Sequence, residues 1–203
     1  MGDAAAAAGR REGRAEKKWQ GSVGGVVCAP VGQVWAVVSQ SSRLSEWMPM
    51  VENCTRLSGE EGVAGYVRLV SGFMFPQEDG DRSWIKERLL LMDPASFSYV
   101  YRMEASNVGL DGSVNSLQLI HYGDDSSSSS CSSTLVHWSF EIDAVEGASE
   151  ETIIDYLAFL YKSCINRIEG AIHKKGNNNN TTTSASEPAP ALHSPTNQSL
   201  GGW

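Results

Sequence analysis

What this 203-residue chain lacks narrows its possible roles. No apolar run approaches the roughly 18 to 20 residues needed to cross a bilayer. The opening MGDAAAAAGRREGR has a five-alanine run where a signal peptide carries its apolar segment. Asp3, Glu12 and Glu16 do not suit a transit peptide, and Ala6 stands where the myristoylation pattern has Ser or Thr. Cysteine is sparse and scattered. Cys28, Cys54, Cys131 and Cys164 form no CxxC pair and no cluster with histidine at zinc-ligand spacing, and they read as reduced thiols. Positive charge is short as well: 16 Lys+Arg against 24 Asp+Glu leave a net charge of −8, which attracts neither phosphate backbones nor anionic membranes. The glycines match neither GxGxxG nor a P-loop, so no nucleotide site is expected. His121, His137, His173 and His193 have no carboxylate or cysteine at metal-ligand or triad spacing. The expectation is a cytosolic or nuclear monomer with no cofactor, no metal, no nucleic-acid partner and no membrane span.

What is present is enough for one buried core, since the chain is 41% hydrophobic. Residues 1–17, residues 176–203 and the serine tract SSSSSCSS at 126–133 have the composition of unstructured segments, which leaves a domain at 18–175. Trp19, Gly21 and Val23 alternate as in a strand. Pro30 opens a short helical patch whose apolar face continues to Leu44, Trp47 and Met48. Strand-like runs follow at about 51–58, 63–72, 82–92, 96–105, 113–122 and 134–143, separated by turn-rich pieces. The last element is the clearest. Ser149 offers a cap, Glu150 and Glu151 place acids in the first turn, and Ile153, Leu157, Leu160, Tyr161, Cys164, Ile165, Ile168 and Ile172 recur at helical spacing. Lys174, Lys175 and Gly176 resemble a helix end. So broad an apolar face needs a wide partner, and a curled antiparallel sheet of seven strands supplies one. The expected class is α+β, with a cavity between sheet and helix.

Two charges interrupt this pattern. Arg68 shares a strand face with Tyr66 and Val70, and Glu87 shares one with Ile85, Leu89 and Leu91. In a hairpin that pairs Ser71 near Trp84, Arg68 falls opposite Glu87, with Cβ atoms about 5 Å apart. On pattern alone the pair reads in two ways. It is either a surface ion pair worth about 0 to 1 kcal/mol or an inward-facing pair in an apolar pocket.

The segments KKWQGSV, EWMP, GYVRLVSGFMFP, SWIKERLLLMD, FSYVYRME, VHWSFE and INRIEGAI, in this order and spacing, resemble the plant lachrymatory-factor synthase-like proteins. Those belong to the superfamily of birch-pollen-allergen, START-like and polyketide-cyclase-like domains. The likeness covers about residues 18–173 and implies the helix-grip fold. It further implies that Arg68 and Glu87 occupy the positions of the family's catalytic pair, in a cofactor-free isomerisation of an alkenyl sulfenic acid to a thial S-oxide. Arg68 would hold the S–O group and Glu87 would carry the proton from oxygen to carbon. Tyr101 and Trp138 match pocket positions, and Phe73 in SGFMFP joins them as a substrate-binding candidate. Ser113 stands where the founding enzyme has a second pocket tyrosine, which suits a ligand of different outline. The expected ligand is a small apolar or sulfur-containing molecule, and a non-catalytic carrier of such ligands is the alternative. An abscisic-acid receptor is also similar in its Arg and Glu strands, but it needs a strand lysine absent between Lys18 and Lys86. SGFMFP, moreover, is not its gate sequence.

Overall fold

In the computed structural model, which describes residues 18–77, 80–122 and 132–178, strand pairing follows chain order except at one place. Strands β2 (Val51–Ser58), β3 (Val67–Gly72), β4 (Ser83–Asp93), β5 (Ser98–Ser106), β6 (Val114–Tyr122) and β7 (Ser133–Ile142) pair antiparallel in succession. Strand β1 (Trp19–Val27) joins the far side of β7, giving the order β1-β7-β6-β5-β4-β3-β2. Helices α1 (Val31–Val38) and α2 (Leu44–Trp47), with a 3-10 turn at Ser41–Arg43 between them, make the crossover from β1 to β2, and α3 (Glu150–Asn178) follows β7. This is the helix-grip arrangement of an α+β fold: a curved seven-stranded antiparallel sheet and a long C-terminal helix. The expected tail at 1–17, residues 179–203 of the tail expected at 176–203, and the serine tract through Cys131 lie outside the described residues.

Alternation sets the inner face. Along β7, Thr134, Val136, Trp138, Phe140 and Ile142 are buried while the residues between them are partly exposed. Strand β4 departs from this rule. Sequence parity puts Leu91 on the inner face with Leu89, but the β4–β5 register shifts between Leu89 and Leu91, and Leu91 ends 52% exposed. The extra residue at that bulge flips the remaining side chains and bends the sheet.

Helix α3 begins as its sequence requires, with Ser149 Oγ accepting the backbone N–H of Thr152 at 3.1 Å. Leu157, Leu160, Tyr161, Cys164, Ile165, Ile168 and Ala171 form its buried stripe. The helix runs past the expected stop to Asn178. A glycine such as Gly176 lowers helix stability by only about 1 kcal/mol near an end and does not force termination. Gly25 in β1 lets α3 approach closely, since a Cβ there would sit 2.7 Å from Ile165 Cγ2.

The crossover is fixed by proline and arginine. Pro30 precedes α1, and its carbonyl takes the N–H of Gln33 at 2.9 Å and of Val34 at 3.2 Å. Pro49 forces Met48 into an extended conformation and so ends α2. The buried guanidinium of Arg43 donates to Glu46, to the Ala36 carbonyl at 3.2 Å and to the Ala171 carbonyl at 2.9 Å. Arg43 thereby fastens the short helices to α3 over one end of the sheet.

Candidate functional site

Arg68 on β3 and Glu87 on β4 are paired directly across the hairpin, as are Ser71 and Trp84. Arg68 Nε donates to Glu87 Oε2 at 2.7 Å, and the two side chains are only 9% and 14% exposed. Charges so deeply placed hold their position only when paired and hydrogen-bonded. Arg68 has both. Its Nη1 donates to Ser41 Oγ at 3.2 Å, and its guanidinium carbon lies 3.9 Å from the centroid of the Tyr101 ring. Ser41, in the 3-10 turn, is itself held by its backbone N–H, which donates to Glu61. Burial disfavours the charge on Arg68, but the Glu87 carboxylate and the nearby tyrosines more than offset it, so the guanidinium stays protonated far above its ordinary range. Burial also raises the phenols of Tyr99 and Tyr101, partly opposed by Arg68, which keeps both rings neutral. The Cys54 thiol, next to Arg68 and Ser41, is raised by burial as well and is no thiolate nucleophile.

Arg68, Glu87, Tyr99 and Tyr101 line a cavity of about 40 Å³ between the sheet, α2 and α3. A water needs roughly 10–15 Å³ of such space, so the cavity holds a handful of heavy atoms. Most of the wall is apolar: Leu44 and Met48 on the helical side, Val70, Ile85 and Met103 on the sheet, Leu160 on α3. Trp138 forms part of the wall, stacked on Tyr161 with ring centroids 4.1 Å apart and planes 2° from parallel. Tyr161 Oη donates to Asn115 Oδ1 at 2.7 Å. The arrangement is one cation and one carboxylate at the edge of a largely apolar chamber. It can bind a small polar group and exchange a proton with it.

Of the candidates read from sequence, Arg68, Glu87, Tyr101 and Trp138 meet in this cavity. Phe73 and Ser113 lie outside its lining. Phe73 is 52% exposed and lies 5.5 Å from the Arg82 guanidinium. The alternation of β3 ends at Gly72, whose Cα approaches the Met50 carbonyl too closely for any side chain. The N–H of Phe73 then bonds that same carbonyl at 2.8 Å, and Phe75 lines the cavity instead. Ser113 is fully buried but outside the cavity lining. Its carbonyl takes the N–H of Met103 at 2.8 Å and its N–H bonds the Leu110 carbonyl at 3.2 Å, which ties it into the β5–β6 turn. Asn115, two residues on along the same face, reaches the cavity.

Ser41, Trp47, Asn115, Phe75 and Tyr161 belong to the site without having been singled out as site residues. Trp47 and Tyr161 carried a signal, because both lie on apolar helical faces, but spacing cannot separate a core position from a cavity wall. Among the described residues no three His, Cys, Asp or Glu side chains gather as a metal-binding group, and no helix is long and apolar enough to cross a membrane.

Comparison with known proteins bears on this geometry. The family model described as "Polyketide cyclase / dehydrase and lipid transport" matches residues 22–171. A START superfamily protein from Mycobacterium smegmatis is similar in structure, with a TM-score of 0.62 at 11% identity over 77% of this chain and 98% of that one. The protein XoxI from Bacillus cereus gives a TM-score of 0.60 at 20% identity, covering 77% of this chain and 97% of its own. Ara h 8.0201 gives 0.59 at 13% identity, over 78% and 99% respectively. At these identities the likeness is one of fold.

Proposed function

The chain belongs to the polyketide cyclase/dehydrase and lipid transport family, and from that footing we propose that it is a cofactor-free proton-transfer enzyme acting on a small, oxygen-bearing reactive molecule. The observation that carries this reading is the Arg68–Glu87 pair, 2.7 Å apart and largely buried against an apolar cavity. A purely structural ion pair is seldom enclosed in this way, because desolvating two charges rivals their attraction. Paired charges facing a cavity are a common mark of a reacting site.

The sequence resemblance suggests the reaction. An alkenyl sulfenic acid would bind with its S–O oxygen on the Arg68 guanidinium by charge-assisted hydrogen bonds. Glu87 would accept the O–H proton and return it to the alkene carbon two bonds from sulfur. The C=C bond then shifts to C=S, and the product is the thial S-oxide. The step is an isomerisation, balanced in atoms and electrons, and needs no redox partner. Tyr101 would hold the guanidinium in register through its ring face, and the apolar wall would exclude water that competes for the unstable substrate. The cavity of about 40 Å³ favours such a substrate over a lipid, which would require the walls to part.

Carriage of a small apolar ligand is the second reading, favoured by the aliphatic lining of the same cavity. One experiment separates the two. The sulfenic acid is generated enzymatically from its cysteine sulfoxide precursor, and products are trapped with wild type, Glu87→Gln and Arg68→Leu. The enzyme reading predicts thial S-oxide from the wild type and a loss of about 10² to 10⁴ in rate with either variant. Wild type yielding no more product than buffer, while still binding apolar ligands, assigns the cavity to carriage.

A further inference from the structure

Asn115 carries a polar group that the proton transfer does not use. On β6 it stands between two buried neighbours of the inner face, Tyr101 on β5 and Phe140 on β7, and Tyr161 of α3 reaches it from above. The space left for it to border is the cavity, and it forms part of that wall. Tyr161 Oη donates to Asn115 Oδ1 at 2.7 Å, and no other acceptor for that proton stands among the described residues. A reversed amide would strand the buried hydroxyl proton, so Tyr161 fixes which end of the amide turns away from it. That end is Nδ2, which has no hydrogen-bond partner among the described residues. It is not closed off either. The enclosed side-chain polar atoms without a partner are Trp47 Nε1 and Ser113 Oγ, so Nδ2 of Asn115, a residue only 9% exposed, keeps its open surface. An oriented amide donor on a residue otherwise buried thus opens on the cavity.

We propose that Asn115 is a second ligand-binding residue of this cavity, donating from Nδ2 to an acceptor oxygen set apart from the one held on Arg68. The inference rests on the cavity being the ligand site argued above, but not on the proton transfer. Arg68 reaches in from β3, and its guanidinium carbon lies 3.9 Å from the centroid of the Tyr101 ring. Asn115 is the cross-strand partner of Tyr101 from the opposite side, on β6. Strands lie about 4.8 Å apart, so β5 and the Tyr101 ring keep the two donors from sharing one atom. The ligand class that satisfies both is a short carbon chain with two separated oxygens. A molecule with one oxygen still fits but forgoes the second bond, and a site that hydrogen-bonds a ligand oxygen discriminates against the analogue lacking it.

Hydroxyethyl methyl ketone and methyl propyl ketone, equal in heavy atoms and different in a terminal hydroxyl for a methyl group, make the test. The side-chain amide resonances of Asn115 are followed in ¹⁵N-labelled protein and assigned by their absence from Asn115→Leu, with the Arg68 Nε–H resonance followed alongside. Both ketones are expected to move the Arg68 signal. The hydroxy ketone alone is expected to move one Asn115 amide proton downfield, saturably. Asn115→Leu should lower affinity for the hydroxy ketone about 3- to 10-fold relative to that for methyl propyl ketone, as for loss of one hydrogen bond. Asn115 resonances that stay unmoved, or that respond equally to both ketones, while Arg68 responds, overturn the proposal and leave the site reading intact. Silence of Arg68 and Asn115 toward both ketones overturns the site reading and this inference with it. The wild-type titration decides the matter even if Asn115→Leu, which strands the Tyr161 hydroxyl, fails to fold.

Discussion

Replacing Arg68 by leucine should destabilise the protein far more than replacing Arg68 and Glu87 together. At 2.7 Å the two charges attract by about 6 kcal/mol at an effective dielectric of about 20. Removing both from water costs several kcal/mol per ion, so the intact pair is close to neutral against an apolar replacement. Arg68→Leu takes away the only side chain that hydrogen-bonds Glu87 among the described residues, and it leaves a carboxylate 14% exposed against an apolar wall. The expected loss is about 3–5 kcal/mol. Glu87→Leu should cost less, about 2–3 kcal/mol, because the guanidinium keeps Ser41 Oγ and the Tyr101 ring face. The double variant should lie within about 1 kcal/mol of wild type. Urea unfolding at neutral pH, with m values checked for constancy, measures the cycle. Single losses that add to the double within about 0.5 kcal/mol would mean the charges act independently in solvent, and the dry pair would be refuted.

Other consequences follow from packing and burial. Leu157→Ala, at a position 1% exposed under the sheet, should cost about 2–5 kcal/mol in denaturant unfolding. Gly25→Ala should destabilise by about 1–3 kcal/mol, because its Cβ would meet Ile165 and Lys162; an unchanged midpoint would show that α3 can move away. Burial raises the phenols of Tyr99 and Tyr161 and pushes the Cys164 thiol from 9.0 to about 12. Each group holds its proton more tightly folded than unfolded. Their stabilisation is therefore complete below about pH 9 and lost as pH climbs from there toward 12. Thermal melts across that window should show a falling Tm, with tyrosinate absorbance from these two rings appearing only on unfolding.

How far the sequence could be read depended on regularity. Strand parity and hairpin register put Arg68 opposite Glu87, and the structure has that register, because the β3–β4 pairing runs without a shift from Val67–Arg88 to Gly72–Ser83. The stripe from Leu157 to Ile168 was legible because helical spacing repeats there without interruption. Legibility failed where regularity did. Leu91 lies past a bulge that parity cannot foresee, and Phe73 lies past the last paired residue of β3, where the tight contact at Gly72 sets the direction of the chain. Ser113 has the inward parity but sits in a turn at the strand's end, so its short side chain does not reach the cavity. The roles of Ser41, Trp47 and Asn115 come from three separate elements converging on one space. That convergence is tertiary and leaves no periodic trace.

The central claim is that Glu87 carries a proton to one face of a bound substrate, and running the isomerisation in D₂O tests it most directly. If Glu87 delivers the proton inside the cavity, each thial S-oxide molecule formed by the wild type should carry one deuterium on the carbon two bonds from sulfur, in a single configuration. Glu87→Gln, folded to the same melting temperature, should lose both the rate and the selectivity. Deuterium in equal amounts of both configurations from the wild type, or the same rate and configuration from Glu87→Gln, would contradict it.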